Sequence, residues 1–274
     1  MAEVITGLAE VNGTTLYYET AGEGVPLLLL HAGIADHRMW DEHFLPLAET
    51  YRVVRPDFRG FGKSARHSGP YSDVADIHAL LGHLGITRAH MVGASMGGNV
   101  ALGLALWHPP LVASLVLASS TLSGYTAFTA PLAKLAMEIE KAATDGDLMN
   151  AVELSLRLWM DGPTRHPRSV PQAARMRLHR LLSENAHMFI APDLELRLDP
   201  PQMMRLNEIV APTLLVVGDK DVSDILAIAD VIMERIPANV QKLILPDAAH
   251  MLPLEKPAEF VAVVRTFIDN LALA

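Results

Sequence analysis

The sequence predicts an α/β fold: a mostly parallel, twisted sheet that opens with an antiparallel hairpin, carries helices on both faces and is interrupted by an inserted helical cap. Short apolar runs at 26–31, 51–56, 89–94, 111–119, 213–218 and 240–245 lack polar alternation, as strands covered on both faces do. Longer helical stretches separate them, the pattern of parallel strands joined by crossovers. The first four runs fall before residue 120 and the last two only after residue 212, so a long segment is set into the sheet domain.

The hairpin comes first. Segments 7–11 and 14–19 flank Asn12-Gly13, a pair that tolerates the positive φ angles of a type I′ turn. The stretch 89–133 contains no Asp, Glu, Lys or Arg and is long enough to suggest a membrane span. Gly93, Gly97, Gly98, Pro109 and Pro110 instead divide it into strand, helix and strand. The insertion, 122–208, has helical periodicity of its own, which assigns 1–121 and 209–274 to the sheet domain. Leu132, Leu135, Ala136 and Ile139 share one helix face, and Leu148, Val152, Leu156 and Trp159 another. Pro163, Pro167 and Pro171 break the chain before a further helix carrying Leu178, Leu181 and Leu182. No internal repeat or low-complexity segment is present.

Composition narrows the function. Of 274 residues half are apolar, enough for a sizeable core. The 31 acidic against 22 basic residues give a net charge of −9, which argues against nucleic acid and anionic membranes as partners. Without cysteine there is no disulfide, thiolate nucleophile or cysteine-based metal site. The opening MAEVITGLAEVNG lacks the basic start and apolar stretch of a secretory signal, so a cytoplasmic location is expected.

The strongest local signal is Gly93-Ala94-Ser95-Met96-Gly97, between a strand-like and a helix-like run. A serine on a sharp strand-to-helix turn exposes its hydroxyl above the sheet, and the flanking glycines relieve crowding. The following helix points its free N–H groups at any oxyanion formed there. A serine nucleophile needs a base and a group to orient that base. Run 213–218 leads into Asp219-Lys220-Asp221, and run 240–245 into Pro246-Asp247-Ala248-Ala249-His250, placing acid and imidazole beyond strand ends. Ser95, Asp221 and His250 therefore follow one another as nucleophile, acid and base. Early on, a strand runs into His31-Ala32-Gly33-Ile34, whose backbone can offer a second oxyanion donor beside the N–H of Met96. Gly33 is preferred to Ile34 by position alone.

With these stretches the chain resembles the capped serine-hydrolase branch of the α/β-hydrolase superfamily. LLLLHAGIADHRMW, RPDFRGFGKS, MVGASMGGNVAL, TLLVVGDKD and DAAHMLPLEKPAEF carry the resemblance. It implies a catalytic triad of Ser95, His250 and Asp221, with Asp221 ahead of Asp219. It also implies ester-like or lactone substrates cleaved through an acyl-enzyme, with carbon–carbon hydrolysis, perhydrolysis or a receptor role as alternatives. Relatives that use aspartate in place of Ser95, the dehalogenases and epoxide hydrolases, fit less well. Where the family often has His-Gly in its first loop, this chain has His31-Ala32 with glycine one place later.

Other candidates read as structural. His31 is expected to buttress the oxyanion loop, while His78, His83 and His108 have no catalytic context. No HExxH accompanies His37 and His43, so neither metal nor cofactor is expected. In Asp57-Phe58-Arg59-Gly60-Phe61-Gly62-Lys63-Ser64 a P-loop would need glycine where Asp57 stands. That segment is expected to form a turn at Gly60 and Gly62, with Asp57 paired to Arg59. Met137, Met149, Met160, Met176, Met188, Met203 and Met204 lie in or beside the cap and suggest an adaptable apolar pocket.

Overall fold

A computed structural model describes residues 2–66, 69–237 and 239–272. Eight strands form one sheet: β1 (Val4–Val11), β2 (Thr14–Ala21), β3 (Pro26–Leu30), β4 (Arg52–Pro56), β5 (Ala89–Ala94), β6 (Val112–Ala118), β7 (Thr213–Gly218) and β8 (Val240–Leu245). Their spatial order is β1-β2-β4-β3-β5-β6-β7-β8. β1 pairs antiparallel with β2, and β2 with β4, while all later pairs are parallel. The hairpin turns as expected, with φ of 47° at Asn12 and 70° at Gly13, though β1 starts three residues before the anticipated position.

Among the described residues the helices are α1 (Asp41–Ala48), α2 (Asp73–His83), α3 (Met96–Trp107), α4 (Ala130–Thr144), α5 (Leu148–Leu156), α6 (Gln172–Glu184), α7 (Ser223–Arg235), α8 (Leu252–Glu255) and α9 (Pro257–Ala272). Period-two alternation splits the strand side chains into two cores. Leu28, Leu30, Met91, Leu115 and Leu215 meet α2, α3 and α7 on one face. Leu27, Leu29, Val92, Val116 and Val216 meet α1 and α9 on the other. β8 departs from the expected two-sided burial: as an edge strand it leaves Leu243 and Ile244 exposed.

The stretch 89–133 resolves into β5, α3, β6 and the start of α4, and no helix among the described residues is long and apolar enough to cross a membrane. Between β6 and β7 the chain supplies α4, α5 and α6. Val152, Leu156, Leu178, Leu181 and Leu182 join the same core as α1 and α9, so the inserted helices pack directly on the sheet domain. Two expectations need correction. Ala136 is exposed, and α4 buries Ala142 and Ala143 instead, because its face turns toward α5. The helix through Leu148 ends at Leu156, and Trp159 lies in a π-turn over Arg157–Asp161 that follows it, while still packing against the same core as Leu148, Val152 and Leu156.

Candidate active site

Ser95 sits between β5 and α3 with φ 52° and ψ −113°. A side chain rarely adopts such a backbone, and the surroundings enforce it. Its N–H donates to Ala118 O (2.9 Å), and its carbonyl accepts the N–H groups of Gly98 (3.0 Å), Asn99 (3.1 Å) and Thr121 (3.3 Å). Close approach explains two of the neighbouring glycines. A Cβ on Gly93 would lie 2.3 Å from Gly97 O, and one on Gly97 would lie 2.3 Å from Leu30 O.

Beyond β7 and β8 the acid and the imidazole meet. His250 Nδ1–H donates to Asp221 Oδ2 at 3.2 Å, and both residues are buried. The other Asp221 oxygen accepts the Val222 N–H at 2.8 Å, which fixes the carboxylate. Asp219, its rival in sequence, turns to Lys220 at 2.9 Å. Trp159 packs on the imidazole of His250 with centroids 4.5 Å apart. Ser95 Oγ makes no hydrogen bond to His250 among the described residues.

The loop after β3 lies against the start of α3: a Cβ on Gly33 would stand 3.2 Å from Met96 Sδ. His31 braces that loop. Its Nδ1–H donates to Ala32 O (2.8 Å) and its Nε2 accepts the Phe58 N–H (3.0 Å), an arrangement that requires the neutral ring. Burial shifts the imidazole in the same direction, below its ordinary range.

The Asp57 segment corrects an expectation. Gly60 and Gly62 do turn the chain, with φ of 90° and 52°. Asp57, however, accepts the His37 N–H (2.8 Å), the His37 ring Nδ1–H (2.7 Å) and the Lys63 N–H (2.8 Å). Arg59 instead pairs with Asp76 at 2.8 Å. The cause is the Gly62 turn, which folds the Lys63 amide back so that the Asp57 carboxylate fills the space a Gly62 Cβ would need. Burial opposes charge on His37, but the carboxylates of Asp57 and Glu19 outweigh it and raise the imidazole to about 9. Asp36, His37 and Asp57 converge as a metal site would, yet their donors serve one another, Arg38 and Asn185.

Of the methionines in and beside the inserted segment, Met137, Met149, Met176 and Met204 are exposed and Met160 is fully buried, so among the described residues these do not line a shared pocket. Met188 of that group lines a cavity of about 170 Å³ beside Gly33 and Ile34.

Two residues that sequence reasoning missed hold the His250 loop. Buried Glu255 accepts the Ala249 N–H (2.8 Å) and the Arg165 guanidinium (2.6 Å). Arg165 also donates to the carbonyls of Met160, Asp161 and Asp247. A lone acid in the apolar run after His250 could have flagged Glu255, whereas nothing around Arg165 marks it.

Parts of the chain are similar to known proteins. A 2-hydroxymuconate semialdehyde hydrolase of Pseudomonas sp. (strain CF600) is 40% identical over 107 residues, 36% of this chain and 38% of that protein. The dihydrolipoyllysine-residue acetyltransferase component of an acetoin cleaving system of Pseudomonas putida is 41% identical over 117 residues, 41% of this chain and 32% of that protein. This chain therefore spans only about a third to two-fifths of these curated relatives. Among solved structures, Est816, described as an N-acyl homoserine lactone degrading enzyme, matches with a TM-score of 0.73 and 27% identity over 95% of this chain and 100% of that one. Residues 27–263 match the alpha/beta hydrolase family, and the chain belongs to it.

Proposed function

We propose that the chain is a serine hydrolase that cleaves an ester or lactone, with Ser95 as nucleophile, His250 as base, Asp221 as the group that orients it, and the Gly33 and Met96 N–H groups as oxyanion donors. The observation that carries this reading is the Asp221–His250 hydrogen bond of 3.2 Å, formed beyond the strand ends while Ser95 occupies its strained turn. His250 takes the Ser95 proton as Oγ bonds to the carbonyl carbon, and the two N–H groups receive the oxyanion. Collapse breaks the bond to the alcohol oxygen, which takes the proton from His250. Water then attacks the acyl-enzyme by the same route. Residues 122–208 serve as a cap that excludes bulk water and selects a small-molecule substrate.

Hydrolysis of p-nitrophenyl esters from acetate to laurate by wild type and Ser95→Ala tests the reading. Multiple turnovers lost in the folded variant support it, and equal rates contradict it. The 2-hydroxymuconate semialdehyde hydrolase among the relatives favours a second reading, carbon–carbon bond hydrolysis on the same residues. Turnover of a vinylogous diketone without ester turnover would select it.

A further inference from the structure

A cavity of about 290 Å³ borders the nucleophile turn, and the proposed triad does not use it. Its wall includes Met96, Asn99 and Thr121, and the last two donate backbone N–H groups to Ser95 O. The opposite wall comes from the chain returning to β7, where Glu195 and Tyr71 form an isolated parallel bridge. Gln202 in that wall is already engaged, donating to Asn99 O at 2.8 Å.

One wall group is unanswered. The Glu195 carboxyl accepts no hydrogen bond and forms no salt bridge among the described residues; Arg197, which also lines the cavity, bonds to Asp193 at 2.6 Å and reaches Glu195 only through its field. Asp73 is its electrostatic neighbour, 2% exposed and with Oδ1 lacking any hydrogen bond. Its neighbours Ser72 and Val74 line the cavity, but Asp73 itself does not. Arg59 offers no relief, since Asp76 holds it. Burial first, and then the Glu195 and Asp76 carboxylates, push the Asp73 carboxyl well above its ordinary range, toward its neutral form, while Asp76 and Asp193 take Arg59 and Arg197.

The same cavity has an aromatic side. Tyr125 and Phe128 line it with ring centroids 5.3 Å apart and an interplanar angle of 75°. Aromatic faces beside a carboxylate attract alkylammonium groups, whose charge is spread over apolar carbon.

We infer that this cavity is a subsite for an alkylammonium group of the substrate, with Glu195 as counter-ion and Tyr125 and Phe128 packing on the cation. Calling the cation part of the substrate rests on the serine-hydrolase reading, but its binding does not require the nucleophile. Burial holds the Glu195 carboxyl above its ordinary range, Arg197 pulling it down and Asp193 pushing it up. Deprotonation strengthens the counter-ion, so cation affinity rises with pH through that titration.

Isothermal titration with choline and with 3,3-dimethylbutan-1-ol, its uncharged isostere, reads the subsite without turnover. Choline is expected to bind wild type about tenfold more tightly than the alcohol. Glu195→Gln is expected to bring the ratio close to one. No choline binding, equal affinities in wild type, or a preference that survives in folded Glu195→Gln overturns the subsite. The wild-type comparison stands even if a variant fails to fold. p-Nitrophenyl ester turnover of the same preparation separates the two failures. Turnover without a choline preference removes only the subsite, and a choline preference without turnover removes only the ester-cleaving reading.

Discussion

Arg165 and Glu255 form a buried ion pair of 2.6 Å that joins the inserted helical segment to the loop carrying His250. Glu255 grips that loop at the Ala249 N–H, and Arg165 grips the end of the π-turn that carries Trp159 at the carbonyls of Met160 and Asp161. Removing one partner strands a buried charge and is expected to cost about 3–5 kcal/mol. Removing both costs less. Chemical denaturation of Arg165→Met, Glu255→Gln and the double variant is expected to give a double variant more stable than the sum of the single losses implies. Strict additivity would argue that the two side chains act independently.

Two glycines should respond in opposite ways. Gly97→Ala places a Cβ against the backbone carbonyls of Leu30 and His31, at 2.3 and 2.7 Å, where no flexible side chain can yield. A loss of roughly 2–3 kcal/mol in stability is expected, with a displaced Ser95 turn. Gly82 lies exposed in α2, and its Cβ would meet nothing within 4 Å. Gly82→Ala is expected to stabilise by about 0.5–1 kcal/mol. Thermal melts of the two variants check both signs.

How much of this was legible in sequence depends on range. The six parallel strands were placed within one residue at each end; β3, β5, β6 and β7, covered on both faces, are nearly unbroken apolar runs. Ser95 stood out because its strained turn needs glycines nearby. The Asp57–His37 and Arg59–Asp76 pairs did not, since partners 20 and 17 residues apart leave no periodic trace. The π-turn likewise leaves none, as a shift in the hydrogen-bond pattern changes the helix type without altering the apolar spacing.

Histidines 37 and 43 set opposite limits on the pH range of stability. The folded state raises His37 from 6.5 to about 9, so its contribution is complete below about 6.5 and is lost as pH rises through about 9. The gap in melting temperature between wild type and His37→Asn is expected to narrow across that window. His43 is buried beside Trp40 and Phe260, and burial, with Arg177 adding to it, lowers its imidazole to about 3. Protons then favour the unfolded chain, so stability falls as pH drops from about 6.5 toward 3. A His43→Phe variant is expected to lose less stability over that acid range than wild type.

The central claim is that Ser95 is a nucleophile activated by His250. Intact-protein and peptide mass spectrometry after treatment with diisopropyl fluorophosphate tests it directly. The reagent gains the Ser95 oxygen and releases fluoride, the proton passing to His250. One adduct per chain, mapped to Ser95 and formed far more slowly in His250→Ala, is the expected result. An adduct mapped elsewhere, or equal labelling rates in wild type and His250→Ala, would contradict the account.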